Sequence, residues 1–391
     1  MTPELPRLLP GWRDVRRLLV VRLDNIGDVV LTTPALRAIK TALPQAHLAL
    51  LASPAGAQAA ALLPSVDEVI PWRAAWQQLD PLPSADPSAP PADLQLIRRL
   101  RRGRYDAAVI LTSFSQTAYP AAYACYLAGI PLRLGYARDF GGQVLTHPVL
   151  PPPDDLHQAE RSLHLLRAAG FPAAPGAALE LRLPPAAVSA ARRRLRQAGV
   201  APGAGYIAVV PGASCQARRY PARRFAQLAA LLARRSGLPL LLLGSPRETD
   251  LRLAFAGLQP APLDLIGQTT LAEFAALLAG AALVVANDSA ALHLADAFER
   301  PLLALFSGTD LESQWRPRRA PAVLLRRPTI CSPCYRFECP YHLDCLEIPP
   351  AEAAEAGMTL LAARLSAGLP PAPAGAFPAA LAALGLPGEE G

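Results

Sequence analysis

Short apolar runs alternate with longer amphipathic stretches along nearly the whole chain. A parallel sheet whose strands are joined by crossover helices produces this alternation, so the pattern predicts an α/β fold. The predicted strands are residues 18–23, 48–52, 68–71, 107–111, 132–135, 206–210, 238–243, 283–286 and 302–306. The helices predicted between them include residues 34–43, 224–236, 271–280 and 290–297.

The alternation runs through two halves of similar design, which predicts two domains. Each half begins with an apolar strand, a glycine-containing turn and a helix, and 391 residues are too many for one compact core. We place the boundary at Pro184, so that residues 1–183 form the first domain and residues 184–370 the second. Residues 371–391 are predicted to form a disordered tail, and residues 81–91 a proline-rich surface excursion.

The basic charge of the chain is a weak guide to its partners. The formal net charge is +7, but Lys40 is the only lysine among the 38 basic residues. Such a skew towards arginine is typical of a compositional bias. A nucleic-acid surface would interleave aromatic residues with the basic ones, and few aromatics lie near the arginine runs. We therefore predict no nucleic-acid partner.

The sequence has no segment typical of export or membrane spanning. Its N-terminus lacks the apolar core of a signal peptide, and the longest uncharged apolar run, residues 274–286, is too short to cross a bilayer. A hydrophobic content of 52% also excludes a wholly disordered chain. These features predict a cytoplasmic protein, and they leave peripheral contact with the inner face of the cytoplasmic membrane open.

The first polar turn follows the predicted strand 18–23 and contains Gly27 and Asp28, with Thr32 shortly after. Ligands of open α/β sheets collect at the carboxyl ends of strands, where helix N-termini point their N–H groups outward. Gly27 would permit a tight turn that a substrate approaches closely, and the Asp28 carboxylate is suited to accept a proton from a substrate hydroxyl. Position alone favours a simpler role for Asp28, because Asp caps helices well.

A second turn follows strand 206–210 and contains Gly212, Ser214 and Arg218. A strand end, a glycine turn and an arginine beside a helix start suit a phosphate, although a solvated basic turn fits equally well. The spacings of a P-loop and of a dinucleotide fingerprint are both absent. Glu248, just past the next strand, is placed to accept hydrogen bonds from ribose hydroxyls, or is simply an exposed loop residue.

The third turn follows strand 283–286 and contains Asp288 and Ser289. Both residue types begin helices, and a helix start with a serine hydroxyl also suits a phosphate. His293 falls in the first turns of the following helix. A core or capping role suits it better than a catalytic one, and contact with a ligand bound at this turn is the alternative.

Four cysteines, Cys331, Cys334, Cys339 and Cys345, lie within a short segment near the C-terminus. Four thiols at close spacing suit a structural Zn²⁺ or an iron–sulfur cluster. Their spacing matches neither a standard zinc ribbon nor a standard ferredoxin, and a reducing cytoplasm disfavours disulfides. Unligated or redox-labile thiols are therefore the favoured interpretation, with a structural metal as the alternative.

Taken together, these segments resemble glycosyltransferase family 9, the bacterial heptosyltransferases. The resemblance rests on residues 20–36 (VVRLDNIGDVVLTTPAL), on Pro211-Gly212-Ala213 with Arg218, on Asn287-Asp288-Ser289 with His293, and on the cysteine segment from Cys331 to Cys345. Each motif alone is weak, but four in this order are specific.

The resemblance implies a glycosyltransferase-B fold, in which two Rossmann-like domains face each other across a cleft. It implies an N-terminal acceptor domain, a C-terminal donor domain and an inverting transfer of a sugar, typically heptose from an ADP-activated donor, onto a lipopolysaccharide core or related glycan. The lipid-linked acceptor would be met at the inner membrane. Asp28 matches the family's catalytic base, beside Gly27 and Thr32.

Further residues match the family's donor site. Asp288 and Ser289 match the donor-phosphate turn, Arg218 stands where the family usually has a phosphate-binding lysine, and Glu248 is a looser match to a ribose-binding acid. Two departures are visible: arginine replaces that lysine, and Ala290-Ala291 replaces a glycine-containing pair. Gly212 and Ser214 complete the predicted phosphate site, and no cofactor or metal is required for catalysis. Transfer from another nucleotide-sugar, or a sugar-nucleotide epimerase on the same fold, remains the alternative.

Overall fold

The computed structural model describes residues 8–77, 92–201 and 203–366. The chain divides into two compact units, Met1–Arg182 with Leu311–Arg318, and Leu183–Asp310 with Arg319–Gly391. The prediction placed a single domain boundary at Pro184, and it did not include the return of Leu311–Arg318 to the first unit. The excursion predicted at residues 81–91 and the tail predicted at residues 371–391 lie outside the described residues.

Each unit is built on one six-stranded parallel sheet. The first sheet has the order β3-β2-β1-β4-β5-β6 and the second the order β12-β11-β10-β7-β8-β9, which is the same doubly wound arrangement read from the other edge. The first sheet comprises β1 (Arg17–Arg22), β2 (His47–Ala52), β3 (Glu68–Pro71), β4 (Ala107–Ile110), β5 (Leu132–Tyr136) and β6 (His147–Val149). The second comprises β7 (Ile207–Val210), β8 (Leu240–Leu242), β9 (Leu263–Asp264), β10 (Leu283–Asn287), β11 (Leu302–Leu305) and β12 (Ala322–Leu325).

Helices connect the strands in both units. The first unit contains α1 (Ile26–Leu31), α2 (Thr33–Ala42), α3 (Ala92–Gly103), α4 (Tyr119–Leu127), α5 (Gln158–Ala168) and α10 (Glu312–Trp315). The second contains α6 (Pro185–Gln197), α7 (Ala222–Ser236), α8 (Leu271–Gly280), α9 (Ala290–Ala297) and α11 (Pro350–Ser366). Short 3-10 helices include Ala75–Gln77, Gln216–Arg218 and Pro246–Phe255.

Local sequence explains several of these boundaries. Pro34 lies in the first turn of α2, where its missing N–H costs nothing. Thr270 and Glu273 form a reciprocal capping box at the start of α8. Helix α7 ends at Gly237, whose φ of 70° is the left-handed conformation that glycine adopts without strain.

The central strands are buried on both faces, as the apolar runs predicted. The prediction of an α/β fold on parallel sheets is confirmed, but three strands were missed: β6, β9 and β12. All three are sheet edges with mostly half-buried residues. β6 and β9 are three and two residues long and each contains a polar residue, whereas β12 is a short apolar run that the prediction overlooked. Within the described ranges, every helix is too short or too polar to cross a bilayer.

Candidate active site

Each sheet has a crevice at the central strand pair where the winding direction changes. In doubly wound sheets, ligands bind outside the carboxyl ends of these strands. The pair is β1 and β4 in the first unit and β7 and β10 in the second. Asp28 follows β1, whereas Gly212 follows β7 and Asp288 follows β10. The predicted base thus lies at one crevice, and the predicted donor residues lie at the other.

Asp28 is held in place by a buried arginine. Arg22, at the end of β1, is fully buried, and its Nη2 lies 2.8 Å from Asp28 Oδ1. The same nitrogen donates to Ser113 Oγ, also at 2.8 Å. Asp28 Oδ2 accepts the Asn25 backbone N–H at 3.1 Å, so Asp28 also caps α1. About 14% of its side chain is exposed, which leaves an oriented carboxylate within reach of a substrate.

A second carboxylate shares the charge of Arg22. Asp24 Oδ2 lies 3.1 Å from Arg22 Nε, and Asp24 Oδ1 accepts a hydrogen bond from Gln116 Nε2 at 2.7 Å. Burial raises the pKa of Asp24, and the neighbouring Asp28 charge adds to this, against the opposing effects of Arg22 and Gln116. Two carboxylates therefore compete for one guanidinium.

Gly27 and Thr32 occupy structural positions within the first unit. Gly27 is a buried residue of α1, and its φ is outside the left-handed region, so the tight turn predicted there is a helical turn. Thr32 is 1% exposed, and its Oγ1 donates to the carbonyl of Val29 at 2.6 Å. A direct role for either residue in acceptor binding stays a prediction.

Asn287 ties the two turns of the second crevice together. It is fully buried at the end of β10, and its Nδ2 donates to the Pro211 carbonyl at 2.7 Å. Its Oδ1 accepts the Tyr220 backbone N–H at 3.1 Å. One side chain thus fixes the turn after β7 relative to the end of β10.

Arg218 lies between two buried carboxylates. Its Nη2 bonds to Asp310 Oδ2 at 2.5 Å, its Nε bonds to Thr309 Oγ1 at 3.2 Å, and Asp288 Oδ2 lies 3.8 Å from Nε. Burial alone lowers the pKa of Arg218, but Asp288 and Asp310 outweigh it and hold the pKa above its ordinary value. Among the described residues, Nη1 has no hydrogen-bond partner, and a quarter of the side chain is exposed. One edge of the guanidinium is therefore anchored and the other is available to an anion.

Two serines flank this arginine with different surroundings. Ser289 Oγ is buried at the start of α9 and has no hydrogen-bond partner among the described residues. Ser214 is exposed in the turn after β7. A buried hydroxyl without a partner is unfavourable unless a ligand supplies one, so of the two predicted phosphate contacts Ser289 is the better placed.

Glu248 and Gly212 are in direct contact. A Cβ added to Gly212 would lie 1.8 Å from Glu248 Oε1, so the carboxylate fills the space that a side chain would take. Glu248 Oε2 accepts the Ser245 N–H and hydroxyl at 2.7 and 2.9 Å. The acid predicted to bind ribose thus lies against the glycine predicted to bind phosphate.

His293 is buried in α9 and is 4% exposed. Burial lowers its pKa to about 4, the Arg218 charge adds to this, and Asp296 opposes it. A neutral imidazole at physiological pH suits a packing or hydrogen-bonding role. A donor contact from His293 stays a prediction.

The four clustered cysteines line one cavity of about 350 Å³ in the second unit, next to Thr309. Burial raises the pKa of Cys345, and Cys339, Cys331 and Cys334 add to this, although a hydrogen bond from Gly308 opposes it. All are free thiols. Within residues 8–77, 92–201 and 203–366, no group of three or more Cys, His, Asp or Glu side chains is arranged to hold a metal ion. The zinc or iron–sulfur site stays a prediction.

The sequence reasoning missed the residues that hold the predicted ones in place. Arg22 orients Asp28, while Thr309 and Asp310 anchor Arg218. Thr309 and Asp310 follow β11, the strand beside β10, in another polar turn after an apolar strand. That signal was present in the sequence, but it resembles an ordinary loop.

Solved structures with the same fold identify the class. A glycosyltransferase family 9 protein from Veillonella parvula superposes with a TM-score of 0.71 at 20% identity, over 90% of this chain and 98% of its own. E. coli ADP-heptose lps heptosyltransferase II superposes with a TM-score of 0.70 at 23% identity, over 89% and 99%. With two doubly wound units and polar crevices, the protein has the fold of the glycosyltransferase-B class.

Sequence comparison then gives the family. The profile of glycosyltransferase family 9 (heptosyltransferase) matches residues 94–343, and the chain belongs to this family. It is also similar to lipopolysaccharide heptosyltransferase 1 of Pseudomonas aeruginosa, with 27% identity over 333 residues that cover 83% of this chain and 88% of that protein. The protein is therefore a glycosyltransferase.

Proposed function

We propose that the protein transfers heptose from ADP-heptose to a lipopolysaccharide core acceptor, with inversion at the anomeric carbon. The observation that carries the proposal is the second crevice, where, within the described part of the chain, Nη1 of Arg218 and the Ser289 hydroxyl have no hydrogen-bond partner. The similarity of the chain to proteins named as lipopolysaccharide and ADP-heptose heptosyltransferases supports the choice of donor and acceptor.

The second unit binds the donor in this proposal. Nη1 of Arg218 and the Ser289 hydroxyl hold the diphosphate, with the N-terminus of α9 adding its N–H groups. Glu248 accepts hydrogen bonds from the ribose hydroxyls, and Gly212 leaves room for that carboxylate. The positive charge of Arg218 also stabilises the departing ADP, which gains negative charge as the glycosidic bond breaks.

The first unit supplies the base. The acceptor hydroxyl loses its proton to the Asp28 carboxylate while its oxygen bonds to the anomeric carbon, and the bond from that carbon to the diphosphate oxygen breaks. ADP leaves with the bonding electron pair. Arg22 keeps the carboxylate oriented for this transfer. A lipid-linked acceptor would place the reaction at the cytoplasmic face of the inner membrane.

Binding and product analysis test the proposal together. Calorimetry is expected to show ADP binding at least tenfold tighter than UDP or GDP, and incubation with ADP-heptose and a core acceptor is expected to yield the inverted glycoside. Preference for UDP or GDP would point to another nucleotide-sugar. Conversion of the donor in the absence of acceptor would point to an epimerase, and either result would overturn the proposal.

A further inference from the structure

Besides the cavity at the cysteines of the second unit, a cavity of about 280 Å³ lies in the first unit, at the carboxyl ends of β1 and β4. Its apolar wall comes mainly from the strand ends, and its polar wall comes from the segment after β4 together with Gln77. Three hydroxyl side chains, two amides and one aromatic ring line it: Thr112, Ser115, Thr117, Gln77, Gln116 and Trp76. The cavity therefore lies at the position in the sheet where doubly wound domains bind their ligands.

The chemistry of this lining suits a sugar. A pyranose ring offers an apolar C–H face that packs on an aromatic ring, and hydroxyls that exchange hydrogen bonds with amide and hydroxyl groups. The volume accommodates roughly one monosaccharide rather than a chain of several. None of the described lining residues is charged. An acidic sugar would bring a carboxylate into this space with no cation in the lining to pair with it, which is costly.

Among the described residues, one buried hydroxyl of the lining has no hydrogen-bond partner. Thr112 is 9% exposed, and its Oγ1 is buried without a hydrogen-bond partner among the described residues. Burying a hydroxyl without a hydrogen-bond partner is unfavourable. A hydroxyl of a bound sugar would offset that cost.

A chain of contacts links the cavity to the proposed base. Gln116 lines the cavity and donates to Asp24 at 2.7 Å, Asp24 pairs with Arg22 at 3.1 Å, and Arg22 holds Asp28 at 2.8 Å. An occupant of the cavity therefore lies close to the charged cluster that orients Asp28.

We infer that this cavity binds an uncharged sugar unit of the acceptor, of the heptose or hexose type, and not an acidic ulosonic acid. The inference rests on the proposed function and deepens it, because it assigns the acceptor subsite and the class of sugar that fills it. Trp76 packs against the sugar ring, while Thr112 and Gln116 exchange hydrogen bonds with its hydroxyls.

Saturation-transfer NMR on the full-length protein tests this directly. The probes are a methyl heptoside, a methyl mannoside and the methyl glycoside of a 3-deoxy-ulosonic acid. The two neutral glycosides are expected to bind, and the Trp76→Leu and Thr112→Val variants are expected to weaken them about tenfold. The matched control is Tyr123→Leu, an exposed aromatic that does not line the cavity. Equal or stronger binding of the acidic glycoside, or unchanged binding in both cavity variants, would overturn the inference.

Steady-state kinetics separates this inference from the proposed function. With ADP-heptose as donor, the cavity variants should raise the acceptor KM about tenfold and leave the KM of the donor within twofold. If the wild type transfers no sugar from ADP-heptose, the proposed function fails, while the NMR experiment still decides which sugars the cavity binds. If transfer occurs but the acceptor KM does not change, only the cavity assignment fails.

Discussion

Arg218, the residue proposed to bind the diphosphate, is held in position by its neighbours. Two buried carboxylates and Thr309 fix its position before any ligand binds, which reduces the side-chain entropy lost on binding. Asp310 makes the shortest of these contacts, so we assign it as a positioning residue that acts through Arg218. The two carboxylates also offset part of the positive charge with which Arg218 would bind the diphosphate. In the proposed function, Asp310 therefore favours ADP binding by fixing the position of the guanidinium and not by its charge.

A double-mutant cycle tests this assignment. Asp310→Ala is expected to weaken ADP binding about tenfold, which is about 1.4 kcal/mol, because the guanidinium loses its anchor. In the Arg218→Met background the same change should alter ADP affinity less than twofold. Calorimetry on the four proteins gives the coupling. Equal losses in both backgrounds would show that Asp310 merely supports the fold.

His293 predicts a pH dependence of stability. Its pKa is about 4 in the folded protein and near 6.5 in the unfolded chain, so the folded state disfavours the protonated ring. The contribution of the neutral His293 ring to the free energy of unfolding is fully present above pH 6.5. It is lost as pH falls towards 4, by about 3 kcal/mol in total. The His293→Gln variant has no such loss of stability. The difference between the thermal unfolding midpoints of wild type and variant should therefore become smaller as the pH falls from 7.5 to 5.

The matched control is the exposed His342. His342→Gln should follow the wild type across the same pH range. A constant gap between wild type and His293→Gln would contradict burial of a neutral imidazole at this position.

At the scale of elements, turns after neighbouring strands build the second crevice. Asn287 connects the turn after β7 to the end of β10, and Glu248 brings the segment after β8 against Gly212. The polar groups of three separate segments thus depend on one another for position.

Gly212→Ala tests this dependence. The new Cβ would lie 1.8 Å from Glu248 Oε1, and the flexible carboxylate should move aside while the fold persists. We expect ADP affinity to fall about tenfold, as in Glu248→Ala, with no further loss in the double variant. Calorimetry with ADP and with its 2′,3′-dideoxy analogue isolates the ribose contacts. The control, Gly205→Ala, places its Cβ 3.2 Å from Ala282 Cβ, away from Glu248. Additive losses of ADP affinity in the double variant would contradict the view that Gly212 acts by making room for Glu248.

The sequence predicted the secondary-structure elements better than the contacts between residues that are distant in the chain. Continuous apolar runs revealed the central strands, whereas the edge strands β6 and β9 lacked that signal and the apolar run of β12 was overlooked. Asp28 and Asp288 became candidates because they follow such runs, and the family resemblance then predicted their roles. Asp310 is 92 residues from Arg218 in the chain, and a local pattern carries no information about such a contact.

At the scale of the whole molecule, the same doubly wound sheet occurs twice in one chain. The two halves were visible in the sequence as a repeated strand, turn and helix. The return of Leu311–Arg318 to the first unit was not visible, because a short helix after a strand fits either half equally well. In this account the first unit provides the base and the acceptor subsite, and the second unit holds the donor.

The transfer kinetics of Asp28→Asn test the central claim most directly. The amide keeps the shape of the side chain but cannot accept the acceptor proton, so kcat with ADP-heptose and a core acceptor should fall about 10²–10⁴-fold. ADP affinity should stay within twofold, because the proposed donor contacts lie in the second unit. The exposed control Asp139→Asn should match the wild type in both kcat and ADP affinity. Near-native turnover by Asp28→Asn would contradict the assignment of Asp28 as the base.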